Sequence, residues 1–277
     1  TRVNLGLIGS PVEKSISPEL QRILFKELEL DNCTYEKHHV ASDDLPSFFD
    51  RFKKGKFDGI NITIPHKKTG LKFLDEIDDN VKILGNTNCI KRVGDILTGY
   101  NTDLYGFKML LEKNNINVHS SRCLVLGAGG SARTIVKALI DEGAESITIK
   151  NKSIDNALEI QLYAQKLGAK NIELYTESDD KFDIAINTTP LGMYQEKDDI
   201  SFFDIPIDKD SILIDLIYIS NHTLFLNQYK DRVKQSINGL EMLIFQAIKS
   251  IEIWTETTYN VDQKLDSIKK QLEKVLC

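Results

Sequence analysis

A glycine turn between an apolar strand and a helix constrains the fold of this chain more than any other feature. The apolar run 123–126 leads directly into Gly127-Ala128-Gly129-Gly130-Ser131-Ala132, which has the spacing Gly-x-Gly-x-x-Ala. In such a turn the first glycine permits the bend, the second leaves room for a pyrophosphate, and the small last residue lets the helix pack on the strand. The helix start also offers unpaired N–H groups to phosphates. These six residues therefore predict a dinucleotide-binding βαβ unit.

The patterns on both sides of the turn support an α/β fold. Apolar residues at helical spacing follow it, and 145–149 is predicted to be the next strand. Strands and helices also alternate over the first hundred residues, which indicates a first α/β sheet. Within that region, Ser17-Pro18 is typical of a helix start with a serine N-cap. The segment 239–277 is predicted to be helical throughout, because its apolar residues form one stripe.

Composition excludes several classes of function. A chain of 277 residues is long enough for two domains. Its net charge of −6 offers no basic surface, so we expect no nucleic-acid partner. No run approaches the roughly 18 apolar residues of a membrane span, and no secretion signal is evident. The four cysteines contain no C-x-x-C pair, which favours reduced thiols and the cytoplasm. The five histidines are scattered, so we expect no metal.

Three polar clusters in the first half are candidates for substrate chemistry: 61–67, 86–88 and 100–103. Ligands of open α/β sheets bind outside the carboxyl ends of the strands, where Lys67 and Asp103 could converge as an acid–base pair. Spacing alone leaves a second interpretation open. In it, Asp103 caps its helix and Lys67 is a solvated surface lysine.

The chain resembles the shikimate/quinate dehydrogenase family from about Gly6 to Gln246. The resemblance rests on ordered motifs spread over both halves of the chain. In order, they are Ser15-Ile16-Ser17-Pro18, Asn61-Ile62-Thr63-Ile64-Pro65-His66-Lys67, Gly85-Asn86-Thr87-Asn88, Gly99-Tyr100-Asn101-Thr102-Asp103, Asn187-Thr188-Thr189-Pro190-Leu191-Gly192-Met193, Asp215-Leu216-Ile217-Tyr218 and the run from Gly239 to Gln246.

The resemblance implies two α/β domains and an NADPH-dependent, reversible reduction of 3-dehydroshikimate to shikimate in the aromatic amino acid (chorismate) pathway. Residues 1–104 and 238–277 would form the substrate-binding catalytic domain. Residues 105–237 would form a Rossmann-type NADP-binding domain, and the C-terminal helices would pack back on the first domain. The substrate is then a small molecule. The resemblance does not decide whether the protein is a monomer or a homodimer.

The resemblance also implies roles for single residues. Lys67 would be the catalytic acid–base group, with Asp103 beside it. The substrate carboxylate would be bound by Ser15, Ser17 and Tyr218. The ring hydroxyls would be held by Thr63, Asn88, Asp103 and Gln246. Besides the glycine turn, the cofactor ligands would be Asn151, Lys152, Ser153, Leu216, Gly239 and Met242. The chemistry is consistent, because an ammonium can stabilise and protonate the alkoxide that hydride transfer creates.

The residues after the second strand of the βαβ unit bear on cofactor choice. An NAD site would place Asp or Glu there, to accept from the ribose 2′-hydroxyl. This chain has Lys150-Asn151-Lys152-Ser153 instead, with Lys152 where the family carries arginine. We therefore expect NADP, with a narrower preference over NAD than an arginine would give. The alternative interpretation is that Lys152 is only a solvated lysine at the start of a helix and does not bind the cofactor.

Some residues depart from the family motifs: Leu20, Cys89, Leu104 and Ile219-Ser220. These departures leave open a related substrate such as quinate or an aminated analogue, and a catabolic quinate/shikimate dehydrogenase that uses NAD. Ser17 favours shikimate over quinate. A catalytically silent sensor of NADP or shikimate is an alternative from another class, which the presence of Lys67 and Asp103 disfavours.

Overall fold

The computed structural model describes residues 2–177, 180–193 and 200–277. The chain divides into two compact units. Unit 1 contains the residues up to Gly106 together with Ile244–Cys277, and unit 2 is Phe107–Leu243. The sequence predicts boundaries at 104/105 and 237/238, and the division of roles between the units stays a prediction. None of the helices formed by the described residues is both long and apolar enough to span a bilayer.

Unit 1 is built on a mixed sheet. Its strands are β1 (Val3–Gly9), β2 (Cys33–His39), β3 (Gly59–Ile62), β4 (Glu76–Ile77), β5 (Cys89–Val93) and β6 (Ile96–Tyr100). They lie in the order β2-β1-β3-β5-β6-β4, with β1 parallel to β2 and β3, and β5 antiparallel to β3 and β6. The helices of the first half are α1 (Ser17–Glu27), α2 (Leu45–Arg51), α3 (His66–Thr69), α4 (Asp79–Leu84) and α5 (Asp103–Lys113).

Apolar side chains from one face of this sheet, from α2 and from the residue that follows α2 form a buried core. Its members include Ile8, Phe48, Phe49, Phe52, Ile60 and Ile62. Burying large apolar side chains is the dominant favourable contribution to folding, so this core holds β1 and β3 in register. The carboxyl ends of both strands are thereby fixed at one edge of the sheet.

Unit 2 has the strand order of a dinucleotide-binding fold. Its strands are β7 (Arg122–Leu126), β8 (Ser146–Lys150), β9 (Ile172–Leu174), β10 (Ile184–Asn187), β11 (Ile212–Asp215) and β12 (Gln235–Ile237). They are parallel and lie in the order β12-β11-β10-β7-β8-β9. The order reverses between β7 and β10, which is the switch point where such sheets bind ligands. Its helices are α6 (Gly130–Asp141), α7 (Ile154–Lys166) and α8 (Leu224–Gln228). The predicted pair of α/β units, the second of Rossmann type, is confirmed.

The prediction of one continuous C-terminal helical segment is wrong. The structure has two helices, α9 (Leu240–Thr255) and α10 (Leu265–Leu276), separated by a non-helical link. The first ends because Glu256 adopts a left-handed backbone with φ of 54°, after which threonine and asparagine residues of low helix propensity follow. Both helices contact unit 1: Trp254 Nε1 donates to Ile90 O at 3.0 Å, and Gln271 Nε2 donates to Glu27 Oε1 at 2.8 Å.

The prediction of Ser17 as an N-cap is also wrong. Ser17 is the first residue of α1, and the cap position belongs to Ile16, whose side chain makes no capping bond. The Ser17 N–H instead donates to Ser15 Oγ at 3.2 Å. The two serines of the motif are therefore joined to each other at the start of the helix.

Candidate active site

The polar clusters of unit 1 meet at one edge of its sheet. Asn61 on β3 pairs with Cys89 on β5, and Cys89 pairs with Tyr100 on β6. Because β5 runs antiparallel to both neighbours, the residues just before it lie beside the residues just after β3 and β6. Thr63, Asn88 and 101–103 consequently share the edge at which β1 and β3 end.

An ion pair joins the two candidate acid–base residues. Lys67 Nζ lies 2.7 Å from Asp103 Oδ2. Their side chains are 33% and 20% exposed, so the pair is partly withdrawn from water and still reachable by a ligand. The backbone of Lys67 is also fixed, because its carbonyl oxygen accepts a hydrogen bond of 2.9 Å from the N–H of Thr87, on the segment before β5. The structure thus brings together residues that are 36 positions apart.

The carboxylate of Asp103 is not the side-chain cap of α5. Asn101 Oδ1 accepts from the N–H groups of Asp103 and Leu104 at 3.0 and 3.3 Å, which is the geometry of a capping side chain. Asn101 is itself anchored, because its Nδ2 donates to Asn86 Oδ1 at 2.7 Å. Asp103 therefore directs both carboxylate oxygens to side-chain partners, Lys67 and Asn88.

Asn88 links Asp103 to the rest of the edge. Its Nδ2 donates to Thr102 Oγ1 at 2.8 Å and to Asp103 Oδ1 at 3.1 Å, and Gln246 Oε1 lies 3.5 Å away. Its Oδ1 accepts from Thr102 N–H at 2.7 Å. Four of the predicted site residues, Lys67, Asp103, Asn88 and Gln246, are thus brought into one hydrogen-bonded group.

Sequence reasoning did not identify the residues that hold this group in place by hydrogen bonds. Asn61 Nδ2 donates to Asn88 O and to Ser250 Oγ, both at 3.0 Å, and Asn61 Oδ1 accepts from Tyr35 OH at 2.9 Å. Ser250 Oγ in turn donates to Gln246 O at 3.0 Å. Ser250 is one helical turn after Gln246 on an otherwise apolar stripe, and that polar interruption was the available signal.

The other predicted substrate residues of unit 1 lie at the same edge. Ser15 and Ser17 follow β1, and Thr63 follows β3, where its N–H donates to Ile8 O at 2.9 Å. Gly9 makes this approach possible, since a Cβ at that position would lie 2.5 Å from Thr63 Cγ2. Tyr218 lies in unit 2, after β11.

The glycine turn of unit 2 has the geometry of a phosphate cradle. Gly127 has a φ of 112°, a conformation that favours glycine, and a Cβ there would lie 2.5 Å from Thr188 Oγ1. At Gly129 and Gly130 a Cβ would meet nothing within 4 Å, so the start of α6 is open. Ala132 is fully buried against the sheet. A pyrophosphate can therefore reach the N–H groups at the start of α6 without a side chain in the way.

The end of β8 carries no acidic residue, as the sequence predicts. Asn151 Nδ2 donates to Ser153 O at 2.9 Å, and Ser153 Oγ caps α7 by accepting from Asn156 N–H at 3.3 Å. Lys152 is exposed, with its Nζ 6.0 Å from the centroid of the Phe202 ring. A ligand at this end of the strand meets an amide, a hydroxyl and an ammonium group, and this set suits a phosphate better than a hydroxyl donor.

Leu216 and Gly239 are close together, on the loops after β11 and β12. Gly239 N–H donates to Ile217 O at 3.1 Å, and a Cβ on Gly239 would lie 2.0 Å from Leu216 O. Any side chain at position 239 would therefore displace the loop that carries Leu216. Met242 is in the first turn of α9. Among the described residues, no three His, Cys, Asp or Glu side chains are grouped to hold a metal ion.

Asp215 is a fully buried carboxylate at the end of β11. Its Oδ1 accepts from Asn187 Nδ2 at 3.0 Å and from Ile217 N–H at 3.1 Å. Burial raises the pKa of Asp215 to about 6, against the lowering effect of hydrogen bonds from the Thr223 side chain, the Ile217 N–H and the Asn187 side chain. Near pH 5 the folded protein therefore holds this carboxyl mostly protonated, whereas in the unfolded chain it is mostly ionised.

Asp215 should make folding less favourable as the pH rises. The folded state binds more protons than the unfolded state between the ordinary Asp pKa and about 6, so the free energy of unfolding falls through that window. The free energy of unfolding of Asp215→Asn, measured relative to the wild type, should be about 1–2 kcal/mol higher at pH 8 than at pH 5. Denaturant unfolding at both pH values measures this, with the exposed Asp210→Asn as control. An equal effect of Asp215→Asn at both pH values would contradict the assignment.

Comparisons with known proteins agree with this geometry. The family model described as shikimate dehydrogenase substrate binding domain matches residues 7–90, and that described as shikimate / quinate 5-dehydrogenase matches residues 109–214. The shikimate dehydrogenase (NADP(+)) of Nitrosopumilus maritimus is 37% identical over 265 residues, covering 94% of this chain and 96% of the relative. Among solved structures, shikimate dehydrogenase from Aquifex aeolicus has a TM-score of 0.84 at 30% identity, covering 98% of this chain and 97% of that one. A shikimate dehydrogenase in complex with NADP+ has a TM-score of 0.88 at 32% identity, covering 100% and 96%.

Proposed function

The chain belongs to the shikimate dehydrogenase family, and we propose that it catalyses the reversible, NADPH-dependent reduction of 3-dehydroshikimate to shikimate. This reaction belongs to the aromatic amino acid (chorismate) pathway. The observation that carries the proposal is the 2.7 Å ion pair between Lys67 and Asp103, which lies at the edge of the unit 1 sheet where ligands of such sheets bind. Unit 2 of the same chain has the phosphate cradle at Gly127–Gly130.

We propose that Lys67 is the acid–base group. NADPH held by unit 2 would supply the hydride for the carbonyl carbon of the substrate, which leaves negative charge on the carbonyl oxygen. The Lys67 ammonium stabilises that charge and donates a proton to it, which completes the hydroxyl group. In the oxidation direction the neutral Lys67 amine would take the hydroxyl proton, and NADP+ would be the hydride acceptor. Asp103 keeps the lysine oriented through the 2.7 Å contact, and Asn88 fixes the other oxygen of Asp103.

We propose that the substrate binds along the same edge. Ser15 and Ser17 bind its carboxylate with Tyr218, and Thr63, Asn88, Asp103 and Gln246 hold its ring hydroxyls. The hydrogen bond between Ser17 N–H and Ser15 Oγ supports the first assignment, because it holds the two serines next to each other. Asn88 already donates to Thr102 and Asp103, so its amide positions Asp103 as well as meeting the substrate.

NADP fits the residues of unit 2. The pyrophosphate would lie on the turn Gly127–Ala132, and the 2′-phosphate would meet Asn151, Lys152 and Ser153. Leu216, Gly239 and Met242 would line the remainder of the cofactor site. The open space at Gly129 and Gly130 supports this placement, as does the absence of an acidic residue directly after β8.

Initial rates of cofactor reduction with shikimate and with quinate, each with NADP+ and with NAD+, test the proposed function. We expect shikimate with NADP+ to give the highest kcat/KM. The highest value with quinate and NAD+ would instead assign the catabolic type of enzyme. Binding of shikimate or NADP+ by calorimetry without turnover would identify a silent sensor. Formation of 3-dehydroshikimate, identified by mass spectrometry, completes the assay.

Ser17→Ala should weaken shikimate binding selectively. A lost hydrogen bond to a carboxylate costs about 1.5–3 kcal/mol, which raises KM for shikimate at least ~10-fold. The dissociation constant of NADP+ should stay the same, since Ser17 lies in unit 1. Ser15→Ala should behave likewise, and Ser47→Ala on α2 is a matched control. An equal loss of NADP+ affinity would contradict the assigned role.

We also propose that the chain acts in the cytoplasm, as a monomer or homodimer, without a metal and without a nucleic-acid partner. The net charge of −6 supports the last point, because there is no cationic excess to neutralise phosphates. Light scattering of the purified protein distinguishes monomer from dimer. Full activity after dialysis against EDTA is expected, and activity restored only by a divalent ion would contradict it.

A further inference from the structure

A cavity of about 710 Å³ opens in unit 2 beside the start of α7. The last residues of β8 and those just after it line the cavity, together with Tyr175 and Glu177 after β9 and with Ser201, Phe202 and Asp204. The end of the second strand of a βαβ unit is where a dinucleotide's ribose 2′ position is recognised. The lining includes Lys150 in addition to Lys152, so the cavity has a cationic residue without a role in the proposed function.

Lys150 is held over two aromatic rings. Its Nζ lies 4.6 Å from the centroid of the Tyr175 ring and 5.4 Å from that of Phe202, and it donates to Asp204 O at 2.9 Å. These contacts fix the side chain against the wall of the cavity. Lys152 Nζ lies 6.0 Å from the same Phe202 centroid, so both ammonium groups border one ring.

The ammonium of Lys150 has capacity for a further anionic partner. It has three N–H groups, and the bond to Asp204 O uses one of them on an uncharged carbonyl. Burial lowers the pKa of Lys150, although the charges of Asp204 and Glu177 raise it. The Asp204 carboxylate is itself bound by Gln228 Nε2 at 2.6 Å. A phosphate in the cavity could form a close ion pair with the partly buried Lys150 ammonium. Such a pair is stronger there than in water, because the surroundings have a lower dielectric constant.

We propose that Lys150 is a second cationic residue for the 2′-phosphate of NADP, and that together with Lys152 it sets the preference for NADP over NAD. This inference rests on the proposed NADP-dependent function and extends it to a residue outside the Asn151–Ser153 motif. Both ammonium groups border the Phe202 ring, so a phosphate in the cavity would meet positive charge from two sides. Lys150 adds charge from the wall of the cavity, and Lys152 adds it from the start of α7.

The test is calorimetric titration with adenosine 2′,5′-bisphosphate and with 5′-AMP, which differ only in the 2′-phosphate. Lys150→Met removes the charge and keeps an apolar chain over Tyr175 and Phe202. We expect it to weaken binding of the bisphosphate by about 10-fold and to leave 5′-AMP unchanged, as for the loss of one charge-assisted bond. Lys150→Arg should retain most of the affinity. Lys72→Met in unit 1 is a matched control, since that lysine also lies over a ring, 5.1 Å from the Phe73 centroid.

Two results would overturn the proposal: unchanged affinity for both ligands in Lys150→Met, or an equal loss for both, which would reveal a purely structural role. The proposed function fails separately. If shikimate is not oxidised but Lys150→Met still loses the bisphosphate selectively, the function is wrong and the assignment of Lys150 stands. If shikimate and NADP+ react and Lys150→Met keeps the wild-type preference for the bisphosphate, only the assignment of Lys150 is wrong.

Discussion

Replacing Lys67 by alanine is expected to lower kcat for shikimate oxidation by at least ~100-fold, the range that positioned acid–base groups contribute. KM for shikimate should change less, because the ammonium interacts most strongly with the alkoxide that forms during hydride transfer. Steady-state rates at saturating NADP+ measure both constants. The reason is geometric: Lys67 Nζ is fixed by Asp103 Oδ2 at 2.7 Å, at the sheet edge where the proposed substrate residues of unit 1 meet.

Lys68→Ala is the matched control for this variant. Lys68 is the next residue on α3 and is exposed, so its loss should leave both constants near the wild-type values. A large rise in KM for Lys67→Ala at unchanged kcat would show that Lys67 binds substrate without transferring a proton, and the proposed chemistry would then be wrong.

Asp103→Asn is expected to lower kcat by roughly 10- to 100-fold, which is less than the ~10²- to 10⁴-fold that a positioned acid–base group itself contributes. The carboxylate accepts from Lys67 Nζ at 2.7 Å and from Asn88 Nδ2 at 3.1 Å. The neutral amide of an asparagine has only one oxygen to accept from these two donors. Its NH₂ group would face either the Lys67 ammonium or the Asn88 amide nitrogen, and both of these are donors themselves. One of the two contacts is therefore lost, and in either orientation of the amide the Lys67 ammonium loses its carboxylate partner.

The Asp103→Asn variant should still fold, because the side-chain cap of α5 is Asn101 and not Asp103. Asp79→Asn is a suitable control, since Asp79 pairs with Lys82 at 3.2 Å in the same unit but is 92% exposed, where an ion pair contributes little. Near-normal turnover of Asp103→Asn with an unchanged far-UV spectrum would contradict the proposed role of the Lys67–Asp103 pair.

The dinucleotide fold could be predicted from the sequence because its signals are local. Gly127 and Ala132 are five positions apart, and each does one steric task within one βαβ unit. A meeting of Lys67 and Asp103 could also be proposed, since strands of an α/β sheet bring their polar ends together. Spacing alone left open a second interpretation, in which Asp103 caps its helix and Lys67 is a surface lysine. Neither inference needs knowledge of contacts between distant segments.

The support beneath the site could not be predicted in this way. Asn61 reaches Ser250 across 189 positions, and no local pattern indicates that pairing. Spacing also left open whether Asp103 caps α5, because Asn101 and Asp103 both suit the start of a helix. Only the hydrogen bonds of Asn101 distinguish them.

The requirement for an ammonium group at position 67 is tested most directly by chemical restoration. Lys67→Cys should lower kcat as the alanine variant does, and alkylation with 2-bromoethylamine then rebuilds a lysine-like side chain with a terminal amine. We expect kcat to recover at least ~10-fold with little change in KM, because proton transfer returns with the amine. Wild-type protein treated with the same reagent controls for alkylation at the exposed Cys277. No recovery after complete alkylation of the introduced thiol, with the fold intact, would contradict proton transfer by Lys67.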